Sequence, residues 1–196
     1  VCSDNGPEQG AGTAGPFRGF KTHLFEGGIR SPLIAWGPGL VATGKVGSVN
    51  RKSVFSAIDL VPSLLAIAEV AVPEKVKFDG EALPGVVTGK SMQSRAQPLF
   101  FRRPPDRDSF YGVRDLPDLA VREGNWKLLC EYDGSDASLY NLATDPAEKE
   151  NLASSQGEVV KRLTGKVLAW HEQMPADNGA TYQKPVRKKP AGTRKK

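Results

Sequence analysis

Apolar positions recur along this chain with two different periods, and the change of period divides it. Between Val54 and Ala68 they fall at 54, 58, 61, 65 and 68, the spacing of one helical face. Pro62 is tolerated only in a first turn, so the helix is predicted to begin near Asp59, with Asp59 as its cap. From Gln97 onward the pattern shortens. Gln97–Arg102, Asp118–Arg122, Trp126–Glu131 and Ser138–Asn141 read as four strands, with Glu123-Gly124-Asn125 as the turn of a hairpin. A helical period returns at 160, 163, 167, 170 and 174, ended by Pro175. This single apolar stripe predicts a helix lying on the sheet, opened by a capping box at Ser155 and Glu158. Asp145-Pro146-Ala147-Glu148 carries the same start signal, with proline at the first helical position.

The first ninety residues are less regular. Residues 6–19 are rich in Gly, Ala and Pro and predict a long loop, the kind that often carries function. An extended run from Phe20 to Phe25 would set Lys21, His23 and Phe25 on one face. Gly27-Gly28 forces a turn. Pro32 to Trp36 reads as a buried strand ended by Gly37-Pro38-Gly39, and Phe78-Asp79-Gly80 reads as a turn. Gly89 to Ser94 is a plausible boundary, and no internal repeat is visible.

Composition narrows the class. A chain of 196 residues with 39% hydrophobic content supports one ordinary domain or two small ones. No window approaches 18 consecutive apolar residues, so no transmembrane helix is expected, and no signal peptide is visible. The chain opens on Val1 in an apolar-to-turn transition, which predicts a start inside a strand and hence a piece of a longer protein. Cys2 and Cys130 fit no zinc or redox spacing. They read as two separate thiols, with a disulfide left open. The net charge of +5 is misleading as a whole. Seven Lys or Arg and no acids lie between Thr181 and Lys196, which leaves 20 basic against 22 acidic side chains before them, a net of −2. The basic character is a tail, expected to be disordered.

The candidate chemistry lies near the start. Asp4-Asn5-Gly6 presents a carboxylate and a carboxamide before a glycine turn, two hard oxygens suited to Ca2+ or Mg2+ rather than zinc. Taken singly, each feature has an ordinary reading. Asp-Asn-Gly is common turn chemistry, Lys21 a solvated charge, His23 a structural histidine, and Glu26 a partner for Arg30 four residues on.

The ordered set is more specific. Ser3-Asp4-Asn5-Gly6, then Arg18-Gly-Phe-Lys21, then Leu24-Phe-Glu26-Gly27-Gly28-Ile-Arg30-Ser-Pro32, closely resembles the sulfatase family within the alkaline phosphatase superfamily. Ile58-Asp59-Leu60-Val-Pro62-Ser-Leu64-Leu65 is similar to a helix of that family. Phe78-Asp79-Gly80, Thr88-Gly89-Lys90, Arg122-Glu-Gly124-Asn-Trp126-Lys127-Leu128 and Leu139-Tyr140-Asn-Leu142 through Asp145-Pro146 to Asn151-Leu152-Ala153 continue the resemblance. It covers roughly residues 1–175.

The resemblance implies an α/β fold: the C-terminal part of an alkaline-phosphatase-like mixed sheet, plus a small antiparallel four-stranded sheet with a packed C-terminal helix. The division it suggests is 1–90 for the end of the catalytic α/β domain, 91–178 for a C-terminal α+β subdomain, and 179–196 for the basic tail. It implies that Asp4 and Asn5 are the second pair of metal ligands, normally for Ca2+, with Mg2+ as the alternative. It implies that Lys21 contacts the sulfate group and its leaving oxygen, and that His23 touches sulfate or substrate beside it. A compact ammonium suits that role, because charge develops on the leaving oxygen as the S–O bond breaks.

The family's nucleophile is a formylglycine made from Cys or Ser in a Cys/Ser-x-Pro/Ala-x-Arg motif, which forms a covalent sulfo-enzyme intermediate. No such motif occurs in this chain. It is therefore expected upstream, together with the first metal-binding acids. The chain reads as the C-terminal third of a sulfatase acting on a sulfate ester, for which a sulfated glycan is plausible, and it is expected to be inactive alone. Export to the periplasm, lysosome or exterior is favoured by the resemblance. Two other readings stand beside it. One is a phosphodiesterase or phosphonate hydrolase of the same superfamily. The other is a polyanion-binding module acting through the tail from Lys184 to Lys196, in which no aromatic residue suggests specific nucleic-acid binding.

Overall fold

The computed structural model describes residues 1–103 and 116–175. The expected tail, 179–196, lies outside the described residues.

The C-terminal half follows the period-two pattern closely. Four strands, β1 (Leu99–Arg102), β2 (Leu119–Glu123), β3 (Trp126–Cys130) and β4 (Ser138–Asn141), form one antiparallel sheet in the order β1-β2-β3-β4. Glu123 pairs with Trp126 across a two-residue loop. Gly124 takes φ +58° there, a conformation that glycine adopts without a Cβ penalty.

The helix expected near the end runs Gly157–Glu172, named here α4 because three short helices precede it. Its stripe packs as the spacing predicts. Leu163 and Val167 are fully buried against Leu119, Val121, Leu128, Cys130 and Leu139, while Val160 and Trp170 are half-buried at the edge of the same cluster. Trp170 stacks on Phe100 with ring centroids 5.3 Å apart. The expected capping box is not formed: the helix is entered through Gln156 without a side-chain cap, and Ser155 Oγ donates instead to the Leu152 carbonyl.

The opposite face of the sheet is not solvated. Ala120, Leu129 and Tyr140 bury it against Leu24, Phe25 and Leu142. The sheet therefore lies between α4 and a segment from the first thirty residues. This explains why β2 and β3 are apolar at successive positions, since a strand covered on both faces loses its alternation.

The first ninety residues contain α1 (Glu26–Ile29), a 3-10 turn (Ala57–Asp59), α2 (Leu60–Ile67) and α3 (Pro84–Val87). Four local expectations are corrected here. Pro32–Trp36 is not a buried strand. A single antiparallel bridge joins Leu33 to Cys2, and Ile34 and Trp36 are exposed, because no further strand pairs with this segment among the described residues. Phe20–Phe25 is not extended. A turn at Lys21-Thr22 with Thr22 at φ +82° breaks the run.

Asp59 does not cap α2. Its fully buried carboxylate accepts from the N–H groups of Ser56 and Glu81 and pairs with Arg95 at 2.9 Å, so it ties three segments together. Asp145 opens no helix. Asp145 Oδ2 accepts from the N–H groups of Lys149 and Glu150, closing a loop that leaves Glu148 at φ +53°.

On α2, Pro62 and Ser63 are buried while Val61 and Leu64 are exposed, as is Ile58 in the 3-10 turn before it. The cysteines are free, Cys2 exposed and Cys130 buried.

Candidate functional site

Gly6 fixes the position of the Asp4-Asn5 turn. Its N–H donates to the Gly28 carbonyl at 2.8 Å, and a Cβ at Gly6 would sit 1.9 Å from the Gly27 oxygen. Only glycine allows that approach. The next residue, Pro7, accepts from the Lys21 N–H at 2.9 Å. Two backbone bonds thus bring the Asp-Asn-Gly turn, the Lys21 turn and the Gly27-Gly28 start of α1 together. Asp4 is exposed and Asn5 half-buried, and among the described residues neither side chain has a hydrogen-bond partner. Lys21 is half-buried.

His23 is 8% exposed. Its ring lies 4.1 Å from that of Phe20, and its Nε2 is buried with no hydrogen-bond partner. Burial, with smaller contributions from the Arg103 and Arg18 guanidiniums, holds its pKa below the ordinary histidine value. Its imidazole is therefore neutral near pH 7.

Glu26 does more than its local sequence indicates. It does pair with Arg30, at 3.6 Å. It also lies at the centre of a buried set of charges. Glu26 Oε1 accepts from Lys127 Nζ at 3.0 Å, and Glu26 Oε2 faces Arg122 at 3.5 Å. The Glu26 N–H donates to Glu148 Oε2 at 2.6 Å. Lys127 Nζ meets Glu148 Oε1 as an ion pair at 2.8 Å, and both side chains are fully buried. Arg18 closes the set by donating to the Tyr140 hydroxyl at 3.1 Å and the Glu148 carbonyl at 3.2 Å, with its guanidinium over the Phe25 ring.

Desolvation pushes the Glu148 carboxyl above its ordinary pKa against the pull of Lys127. Lys127, Glu148, Arg18 and Arg122 lie within the motifs that carry the resemblance, but nothing in the sequence marks them as partners of one another. The available signal was Lys127, a charge at an inward position of a strand apolar on both faces.

Comparison with known proteins places the chain in a family. The family described as N-sulphoglucosamine sulphohydrolase, C-terminal, matches residues 15–173. The chain belongs to the sulfatase family, as a C-terminal portion of it. It is 29% identical over 181 residues to a sulfatase of Formosa agariphila, covering 86% of this chain and 32% of that protein. It is 31% identical over 182 residues to arylsulfatase A of Bos taurus, covering 80% and 33%. The chain thus spans about a third of the length of these curated relatives. Among solved structures, Ps i-CgsB in complex with k-i-k-neocarrahexaose matches with a TM-score of 0.66 at 26% identity, over 86% of this chain and 35% of that one. The α/β fold class expected from the motifs is the one these neighbours have.

Proposed function

We propose that this chain is the C-terminal third of a sulfuric ester hydrolase and supplies one side of its active site. Asp4 and Asn5 are two oxygen ligands of a divalent cation, Ca2+ or Mg2+. Lys21 binds the sulfate group and its bridging oxygen, and His23 contacts sulfate or substrate beside it. The observation that carries this reading is the pair of backbone bonds, Gly6 to Gly28 and Lys21 to Pro7, which bring the Asp4-Asn5 turn beside the Lys21 turn.

The donor set fits a hard cation. A carboxylate and a carboxamide, both without protein partners among the described residues, are oxygen donors of the kind Ca2+ takes. Two of them fall short of the six to eight oxygens of a full Ca2+ shell, so the rest would come from outside this chain. A bound cation would supply fixed positive charge against the sulfate oxygens.

The chain's own residues do the following. Asp4 and Asn5 hold that cation at the turn. The Lys21 ammonium stabilises negative charge on the departing ester oxygen. His23 Nε2 is buried without a hydrogen-bond partner among the described residues, and the role given to His23 rests on its place two residues from Lys21. The formylglycine nucleophile is expected upstream of Val1, so the chain alone does not turn over. A sulfated glycan is the favoured substrate, supported by the neocarrahexaose-bound relative, and an exported location is favoured with it. Among the described residues no helix is long and apolar enough to cross a membrane.

The test is nitrophenol release from the sulfate and the phosphate ester, in parallel, by the full-length protein and by this chain. Sulfate turnover by the full-length protein alone is expected. Preference for phosphate would favour the phosphodiesterase reading, and turnover by the 196-residue chain would overturn the half-site.

A further inference from the structure

The Lys21 turn has little of its own to hold it. It belongs to no strand, and α1 behind it is four residues long. Besides the bond from the Lys21 N–H to the Pro7 carbonyl, the segment that follows the turn is anchored on the C-terminal half, by burial of Leu24 and Phe25 against the sheet and by Glu148. One oxygen of Glu148 accepts from the Glu26 N–H at the start of α1, and the other meets Lys127.

This arrangement is a poor way to gain stability. Glu148 sits at φ +53°, a region where a non-glycine residue costs of order 1 kcal/mol or more. Replacing a buried ion set by packed apolar side chains is often neutral or stabilising. What a buried carboxylate offers, and an apolar side chain does not, is a fixed direction for the N–H it accepts. That N–H, at the first residue of α1, lies five residues after Lys21.

We infer that Glu148 is a positioning residue for the candidate sulfate site, acting from the C-terminal sheet through Glu26 to fix the turn that carries Lys21. The inference rests on the proposed role of Lys21. Lys127 and Arg122 together balance the charge of Glu26 and Glu148, and Arg18 holds the Glu148 backbone at its carbonyl.

The experiment compares Glu148→Ala with Glu148→Gln, which keeps an oxygen acceptor for the Glu26 N–H. In the 196-residue chain, amide hydrogen exchange is read at Glu26, Gly27 and Gly28 and, as the control, at Ala120 and Leu129 in the sheet. In the full-length protein, kcat and KM are read with 4-nitrophenyl sulfate. Glu148→Ala is expected to speed exchange at the three α1 amides about tenfold or more, with the sheet unchanged. It should lower kcat about 10- to 100-fold with KM within about twofold, the split expected when a transition-state contact is displaced. Glu148→Gln should restore most of both. Where Glu148→Ala prevents folding, Glu148→Asp withdraws the carboxylate by one methylene and carries the same readouts.

Exchange that rises equally in the sheet would make Glu148 merely structural and overturn the inference. So would local loosening with an unchanged kcat. A full-length protein without sulfatase turnover would overturn the proposed function, and the positioning role with it, even with the exchange result intact. The two failures are therefore told apart.

Discussion

The backbone N–H of Glu26 and the Glu148 carboxylate are 2.6 Å apart although 122 residues separate them in sequence. Between them they enclose Lys127, whose side chain is fully buried. Replacing Lys127 by Met would leave the Glu148 carboxylate unpaired in the interior. Breaking a buried ion set in this way costs about 3–5 kcal/mol. Urea unfolding of Lys127→Met should show a clear fall in midpoint at unchanged slope, and a midpoint equal to wild type would contradict the assignment.

Gly6 is expected to be intolerant of any side chain. A Cβ there would lie 1.9 Å from the Gly27 oxygen, which is backbone and cannot swing away. Gly6→Ala should therefore separate the Asp4-Asn5 turn from α1. The Gly28 carbonyl would lose its donor, and the Gly6 amide should lose its exchange protection. Retained protection would mean that the close approach is not needed.

The interior of the C-terminal half depends on Leu163 and Val167, both fully buried. Leu163→Ala should cost about 2–5 kcal/mol through lost burial and the cavity left behind. Lys161→Ala, on the exposed side of α4, should stay within about 0.5 kcal/mol. Equal effects in thermal unfolding would mean that the stripe is not the packing face.

Glu131 sets a pH dependence. Burial, then the nearby Asp118 carboxylate, raise its pKa from 4.5 to about 7. Between those values the folded chain holds a proton that the unfolded chain releases. This contribution is present below pH 4.5 and is lost as pH rises to about 7. Glu131→Gln cannot release that proton, so it should flatten the stability-against-pH curve across this window. A variant curve parallel to wild type would remove Glu131 as the cause.

In the full-length protein, Lys21→Ala should lower kcat for sulfate ester cleavage by about 10²–10³, the usual scale for one transition-state charge contact. Asp4→Ala should harm at least as much, because the cation loses its anionic ligand. The 196-residue chain should bind Ca2+ weakly or not at all. A micromolar site seen by calorimetry and abolished by Asp4→Ala would show that the chain holds a complete site.

Much of the C-terminal half was legible because its signals are local. The hairpin between β2 and β3 was marked by Glu123-Gly124-Asn125, and the packed face of α4 by the spacing of Val160, Leu163, Val167 and Trp170. The turn that carries Lys21 was not legible. Its extended pattern from Phe20 to Phe25 yields to a turn at Thr22, and Leu24 and Phe25 are buried on the sheet instead. The inward position of Glu148 was hidden for a related reason. Asp-Pro-Ala-Glu is a good local helix start, but Asp145 bonds to Lys149 and Glu150, and Glu148 turns inward.

The sequence alone determined the family, through ordered motifs spread over roughly residues 1–175, and the small antiparallel sheet and the helix on it, through periodicity. Strand alternation, hairpin turns and a helical stripe are each set by residues close in sequence. Tertiary structure alone decided that the sheet is covered on its second face, and that Glu26, Lys127 and Glu148 share one buried charge set. A carboxylate gives no local sign of a partner 101 or 122 residues away. Its burial is stable only once the chain has closed around the lysine that neutralises it.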